Sequence, residues 1–91
     1  MRTAVVGLGW WGCELAAAAG RTSGGVIVGC GCSPVDAERA RFTGRFGLPA
    51  VATFDAVLAD GSIEAVILAT PHSLHTGQVI AAAAAAKHVF V

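Results

Sequence analysis

Gly7-Leu8-Gly9-Trp10-Trp11-Gly12 lies between a short apolar run, Thr3 to Val6, and an alanine-rich stretch that continues to Ala19. A glycine triplet set between a strand and a helix is the sequence form of a phosphate-binding turn. In that reading Gly7 makes the tight turn, Gly9 lets backbone N–H groups approach a pyrophosphate, and Gly12 lets the helix pack closely against the strand. The unpaired amides and the positive dipole end of that helix then suit an anion. A glycine turn that serves only the backbone is the alternative, and the strand-turn-helix context favours dinucleotide binding over it.

Further along the chain, β-branched apolar runs alternate with helical patterns, which predicts βαβ units and a parallel sheet covered on both faces. Strands are expected at Arg2 to Val6, Val26 to Cys30, Ala50 to Ala52, Glu64 to Ala69 and Lys87 to Val91. Helices are expected from Trp10 to Ala19, with Gly20 as its C-terminal cap, and from Val35 or Asp36 to Phe46, ended by Gly47-Leu48-Pro49. A brief helix from Phe54 to Ala59 is capped by Thr53, and a last one runs from Leu74 through the six alanines to Ala86. Thr22-Ser23-Gly24-Gly25, Asp60-Gly61 and Thr70-Pro71-His72-Ser73 read as connections. The expected fold is a doubly wound α/β sheet of Rossmann type, five parallel strands in the order 3-2-1-4-5.

Six basic and six acidic residues give a formal net charge of zero with no basic run, so binding to nucleic acid or to an anionic membrane lacks its electrostatic basis. A 55% hydrophobic content with only 13% charged residues is high for a free-standing soluble domain, and some apolar surface is expected to meet another domain or subunit, homo-oligomers included. No apolar run reaches the roughly 18 residues of a membrane span, and a first strand at Arg2 leaves no room for a signal peptide, so the cytoplasm is the expected location. Cys13, Cys30 and Cys32 are expected as reduced thiols. Strand alternation sets Cys30 and Cys32 on one face, which favours packing over redox chemistry. A zinc site combining them with His72 and His75 is disfavoured, because neither pair has the loop context of a structural site. No Gly-Lys-Ser/Thr follows the glycines and no nucleophile elbow surrounds Ser73, so phosphate-loop and hydrolase readings are unsupported.

Taken together, the glycine turn, the segment Pro34, Glu38, Arg39, Ala40, the aspartate in the short helix, the Ala69-Thr70-Pro71 loop and the terminal Lys87-His88-Val89-Phe90-Val91 resemble the nucleotide-binding half of a Gfo/Idh/MocA-type oxidoreductase. The resemblance covers essentially all 91 residues. It implies reversible hydride transfer between a nicotinamide cofactor and a hydroxyl carbon of a sugar, polyol or related small molecule. Members of that family usually continue from the last strand into a Glu-Lys-Pro motif and an α/β substrate domain. Residues 1–91 are accordingly expected to be an incomplete unit that does not turn over alone.

Cofactor binding is expected to centre on Gly7, Leu8, Gly9, Trp10, Trp11 and Gly12. An acidic residue about 20 positions beyond the glycines ordinarily binds the ribose 2′-hydroxyl. Gly31 is taken as its counterpart here, flanked by Cys32 and Ser33 near the adenosine ribose, which leaves both NAD and NADP open. For Asp36 and Arg39 a solvated helix face is the favoured reading, with a ribose contact for either, or a phosphate contact for Arg39, as the alternative. Thr70 and Pro71 fall at the strand edge where open α/β sheets collect ligands, and the resemblance places His72 near the pyrophosphate-to-nicotinamide stretch. His75 resembles a histidine common in the family at that point and joins the candidate cofactor contacts, while no catalytic residue and no metal ligand is assigned. A noncatalytic nucleotide-binding or interaction module, using the open edge of its fifth strand, is the rival reading, with an inactive fragment as a third.

Overall fold

The computed structural model describes residues 1–21 and 25–91. Its strands are β1 (Arg2–Val6), β2 (Ile27–Cys32), β3 (Ala50–Val51), β4 (Ala65–Leu68) and β5 (His88–Phe90), and its helices are α1 (Trp10–Arg21), α2 (Asp36–Phe46), α3 (Phe54–Ala59) and α4 (His72–Ala84). All neighbouring strands pair in parallel, in the order β3-β2-β1-β4-β5. The chain therefore has the expected Rossmann-type architecture, and strand order reverses direction between β1 and β4.

The two faces of the sheet follow from alternation along the strands. Ala4 and Val6 of β1 join Cys30, Cys32, Val66 and Leu68 in one buried layer, closed by Val57 of α3 and Ala82 of α4. Val5 points the other way, into a layer with Leu8, Ala16 of α1 and Phe42 of α2. Full burial of side chains such as Phe42, Leu8 and Val5 contributes about 1.5–3 kcal/mol each. Cys30 and Cys32 do share a face, and their side chains are packing groups in the first layer.

Several boundaries differ from the sequence expectation. Helix α1 continues through Gly20 to Arg21, because no left-handed turn forms at Gly20 to stop it. The predicted connection Thr22–Gly24 lies outside the described residues. Strand β2 extends two residues past Cys30, since Gly31 and Cys32 find partners on both sides, in Val5 and Val6 of β1 and in Ala50 and Val51 of β3. Helix α4 starts at His72, directly after Pro71, whose fixed φ and missing N–H suit a helix entrance. It ends at Ala84, two residues before the alanine run does. Ala86 takes a left-handed conformation, φ 59°, and the N–H groups of Ala86 and Lys87 donate to the Ala83 and Ala82 carbonyls, a paired closure usually built on glycine. Lys87 is then buried, its Nζ donating to the Ile63 and Asp60 carbonyls at 2.7 and 3.0 Å, which ties β5 to the turn before β4. As expected, Gly47 caps α2 at φ 66° and the Thr53 hydroxyl caps α3.

Candidate dinucleotide site

The C-terminal ends of β1 and β4 bring the glycine turn and the Thr70 loop into contact. Gly7 turns the chain at φ 96° and its N–H donates to the Cys32 carbonyl at 2.8 Å, which anchors the turn to β2. A Cβ at Gly7 would lie 2.8 Å from the Ala69 carbonyl oxygen and 3.2 Å from Thr70 Cγ2, so the two loops meet only because that atom is missing. At Gly12 a Cβ would stand 1.8 Å from the Gly7 carbonyl oxygen, so α1 starts closer to the turn than any side chain allows. Gly9 is different: nothing lies within 4 Å of its Cβ position. The space above Gly9 is open, while that around Gly7 and Gly12 is filled by protein.

The first intrahelical bond of α1 runs from the Cys13 N–H to the Gly9 carbonyl, at 3.1 Å. The amides of Trp10, Trp11 and Gly12 precede that bond and form the donor end of the helix dipole. Leu8 lies between these glycines but is fully buried, with its side chain in the α1–α2 layer. Its side chain therefore supports the turn from beneath. The two indoles diverge: Trp10, 75% exposed, borders a cavity with Gly9, Arg41 and Arg45, and Trp11, 58% exposed, borders an apolar groove with Leu15, Ile67, Phe90 and Val91.

At the end of β2 the expected arrangement needs correction. Gly31 is an interior, buried strand residue, where a Cβ would lie 2.9 Å from Leu8 Cδ1 and 3.0 Å from Phe42 Cδ1. Its lack of a side chain serves core packing beneath the glycine turn. Cys32 is also buried, and burial, with the neighbouring Cys30 next, pushes its thiol up to about 11. Ser33 is the first residue past the strand. Its Oγ donates to Glu38 Oε1 at 2.7 Å and accepts from the Val35 N–H at 3.1 Å, so the hydroxyl holds the entrance to α2.

On the β4 side, Thr70 is half-buried and its hydroxyl donates to Gln78 of α4. Pro71 and His72 are exposed at the entrance to α4. His72 belongs to the helix, so His75 lies at its fourth position rather than its second. The rings meet edge-on with centroids 5.0 Å apart, and His75 Nε2 is buried with no hydrogen-bond partner among the described residues. Sequence reasoning missed a further group: Pro34, Ala52, Phe54, Leu74 and Gln78 enclose a cavity of about 270 Å³ beside Gly7, Cys32 and Thr70. These residues come from four separate segments, and only the sheet order brings them together.

An anion-accepting helix end, a turn kept free of side chains and flanking apolar space at a switch point define a dinucleotide-binding class of α/β domain. The family model described as an oxidoreductase family with an NAD-binding Rossmann fold, GFO_IDH_MocA, matches residues 1–91. The chain belongs to this family, as its NAD-binding domain. Among solved structures it is similar to scyllo-inositol dehydrogenase from Lactobacillus casei with bound NAD(H) and scyllo-inositol, at 28% identity and TM-score 0.88 over 98% of this chain and 26% of that one. An NAD-binding protein from Listeria innocua gives 30% identity and TM-score 0.88 over 97% of this chain and 26% of that one. A variant of a 3-ketoreductase from Actinomadura kijaniata, in complex with TDP-benzene and NADP, gives 29% identity and TM-score 0.86 over 98% of this chain and 28% of that one. The chain spans about a quarter of the length of these relatives. No curated protein matches the sequence. Among the described residues, no helix is long and apolar enough to cross a membrane.

Proposed function

We propose that this domain binds a nicotinamide dinucleotide and orients it for hydride transfer to or from a hydroxyl carbon of a sugar or polyol. The observation that carries the reading is the contrast within the glycine turn, where Gly7 and Gly12 are closed in by protein and Gly9 opens onto free space in front of the α1 amides. In this reading the N–H groups of Trp10, Trp11 and Gly12 hold the pyrophosphate. The cavity beside Phe54 and Leu74 accepts the adenine ring, and Cys32 and Ser33 border the adenosine ribose through their backbone. Thr70, Pro71 and His72 line the nicotinamide side. The nicotinamide ring, when bound, supplies the hydride chemistry itself. The domain contributes the backbone donors at the start of α1 and an apolar cavity beside Phe54 and Leu74. The polyol class is supported by similarity to scyllo-inositol dehydrogenase, and turnover is proposed for the complete protein that carries this domain.

The apolar groove of Trp11, Leu15, Ile67, Phe90 and Val91 beside the open β5 edge supports a second reading, a module that pairs with another chain there. Calorimetric titration of the complete natural protein with NADH and NADPH, beside a Gly9→Asp variant, separates the two. Saturable binding that disappears when a carboxylate enters the pyrophosphate position is expected. Absence of binding by well-folded protein removes the cofactor reading and favours the module.

A further inference from the structure

Two guanidinium groups are pinned to the backbone around the C-terminal end of β2. Arg39 donates from Nη1 to the Ser33 carbonyl at 2.8 Å, and its Nη2 pairs with Asp36. Arg41 donates from Nη2 to the Leu8 carbonyl at 3.4 Å. One arginine is thereby held against the residue that follows β2 and the other against the middle of the glycine turn. Dinucleotide folds place the adenosine ribose between those two segments. A guanidinium carries five donors, so each arginine keeps further N–H groups for a second acceptor. Arg41 also borders, with Gly9, Trp10, Glu38 and Arg45, a cavity of about 380 Å³ beside the open face of the turn.

The carboxylates near this cluster are already engaged. Glu38 accepts from the Ser33 hydroxyl, Asp36 is paired with Arg39, and Glu14 lies 3.7 Å from Arg45. A ribose diol needs an acceptor at the end of β2, and the residue there, Ser33, uses its hydroxyl to close the turn into α2. A 2′-phosphate needs donors, and two guanidiniums, Arg39 held firmly at Ser33 and Arg41 more loosely at Leu8, supply them in the charge-assisted form that binds phosphate most strongly. Resting on the dinucleotide reading above, we infer that the site selects the 2′-phosphorylated cofactor, NADP(H), with Arg39 and Arg41 clasping the 2′-phosphate. Asp36 occupies Arg39 until the phosphate takes its place.

Calorimetry on the complete natural protein with NADPH and NADH tests this. The wild type should bind NADPH at least about tenfold more tightly than NADH. Arg39→Gln and Arg41→Gln should each weaken NADPH by about 10- to 100-fold while NADH changes less than about twofold. Lysine at either position should restore part of the loss, and Asp36→Asn should leave NADH binding unchanged. The unaltered NADH affinity also reports that each variant is folded. Equal affinities in the wild type, parallel loss of both nucleotides in the glutamine variants, or loss of NADH binding in Asp36→Asn would each overturn the assignment while leaving the dinucleotide site in place. If neither nucleotide binds the wild type, the dinucleotide reading falls as well.

Discussion

Alanine at Gly9 and at Gly12 should fail in opposite ways. At Gly12 the new Cβ would stand 1.8 Å from the Gly7 carbonyl oxygen and 2.9 Å from its carbon, well inside the 3.4 Å at which ordinary contact begins. Both partners are backbone, and Gly7 is held by its bond to the Cys32 carbonyl, so no side chain can swing aside. Helix α1 must retreat, opening its buried contacts through Cys13 and Ala16. Overpacking of this kind costs about 3 kcal/mol or more, the upper end for a core intrusion, and in a domain of this size lowers Tm by roughly 12–24 °C. At Gly9 the same methyl meets nothing within 4 Å, and the backbone is not in the left-handed region that favours glycine. Stability should hold or rise by up to about 1 kcal/mol through the less flexible unfolded chain. The methyl nevertheless projects into the space assigned to the pyrophosphate, and loss of hydrogen bonds to a charged group corresponds to roughly 10- to 150-fold in affinity. Thermal melts and NAD(P)H titrations of both variants check the pair. A Gly9→Ala protein with wild-type affinity would refute the phosphate cradle, and a Gly12→Ala protein with wild-type Tm would refute the close approach of helix and turn.

Ala86→Gly should stabilise the fold, because Ala86 sits at φ 59° in the closure of α4. Relief of the left-handed penalty, about 1–2 kcal/mol, exceeds the added unfolded-state entropy of about 0.5–1 kcal/mol, for a net gain near 0.5–1 kcal/mol. A lower melting temperature for the variant would contradict this. Buried Cys32, raised from 9.0 to about 11, makes stability depend on alkaline pH: unfolded thiols release protons near pH 9 that the native thiol keeps. Its contribution is full below pH 9 and declines from there to about pH 11, so denaturation midpoints should fall over that window. The fall should be shallower in Cys32→Ala, and an identical decline in that variant would show that another group is responsible.

The glycine turn, the alternation of strands and helices and the caps at Thr53 and Gly47 were legible because each depends on residues within a few positions of one another. The end of β2 was not. Whether Gly31 and Cys32 belong to the strand depends on β1 and β3 lying alongside, and placing Gly31 at the ribose followed from ending the strand two residues early. Pro71 marked the entrance to α4 in the sequence, yet His72 read as loop because the polar run Thr70–Ser73 carries no apolar period to show where the helix begins. The left-handed Ala86 was hidden for a related reason: alanine is the strongest helix former, and only the need to seat Lys87 beneath the Asp60 turn stops the helix before the run ends.

Local chemistry thus pointed to a phosphate-binding turn at the start of α1, since glycine spacing, strand-to-helix order and the helix dipole are properties of one short segment. Tertiary structure decided what fills the space beside each glycine. Spacing already gave Gly7 the tight turn, Gly9 the phosphate approach and Gly12 the helix contact; in the structure Gly7 and Gly12 give room to backbone, Gly31 gives room to Leu8 and Phe42, and nothing lies within 4 Å of the Cβ position at Gly9. The arginines at the ribose edge were likewise visible as residues and invisible as a pair. Arg39 meets Ser33 only six residues away, whereas bringing Arg41 to Leu8 requires β1 and β2 to lie side by side with α2 folded back across their ends.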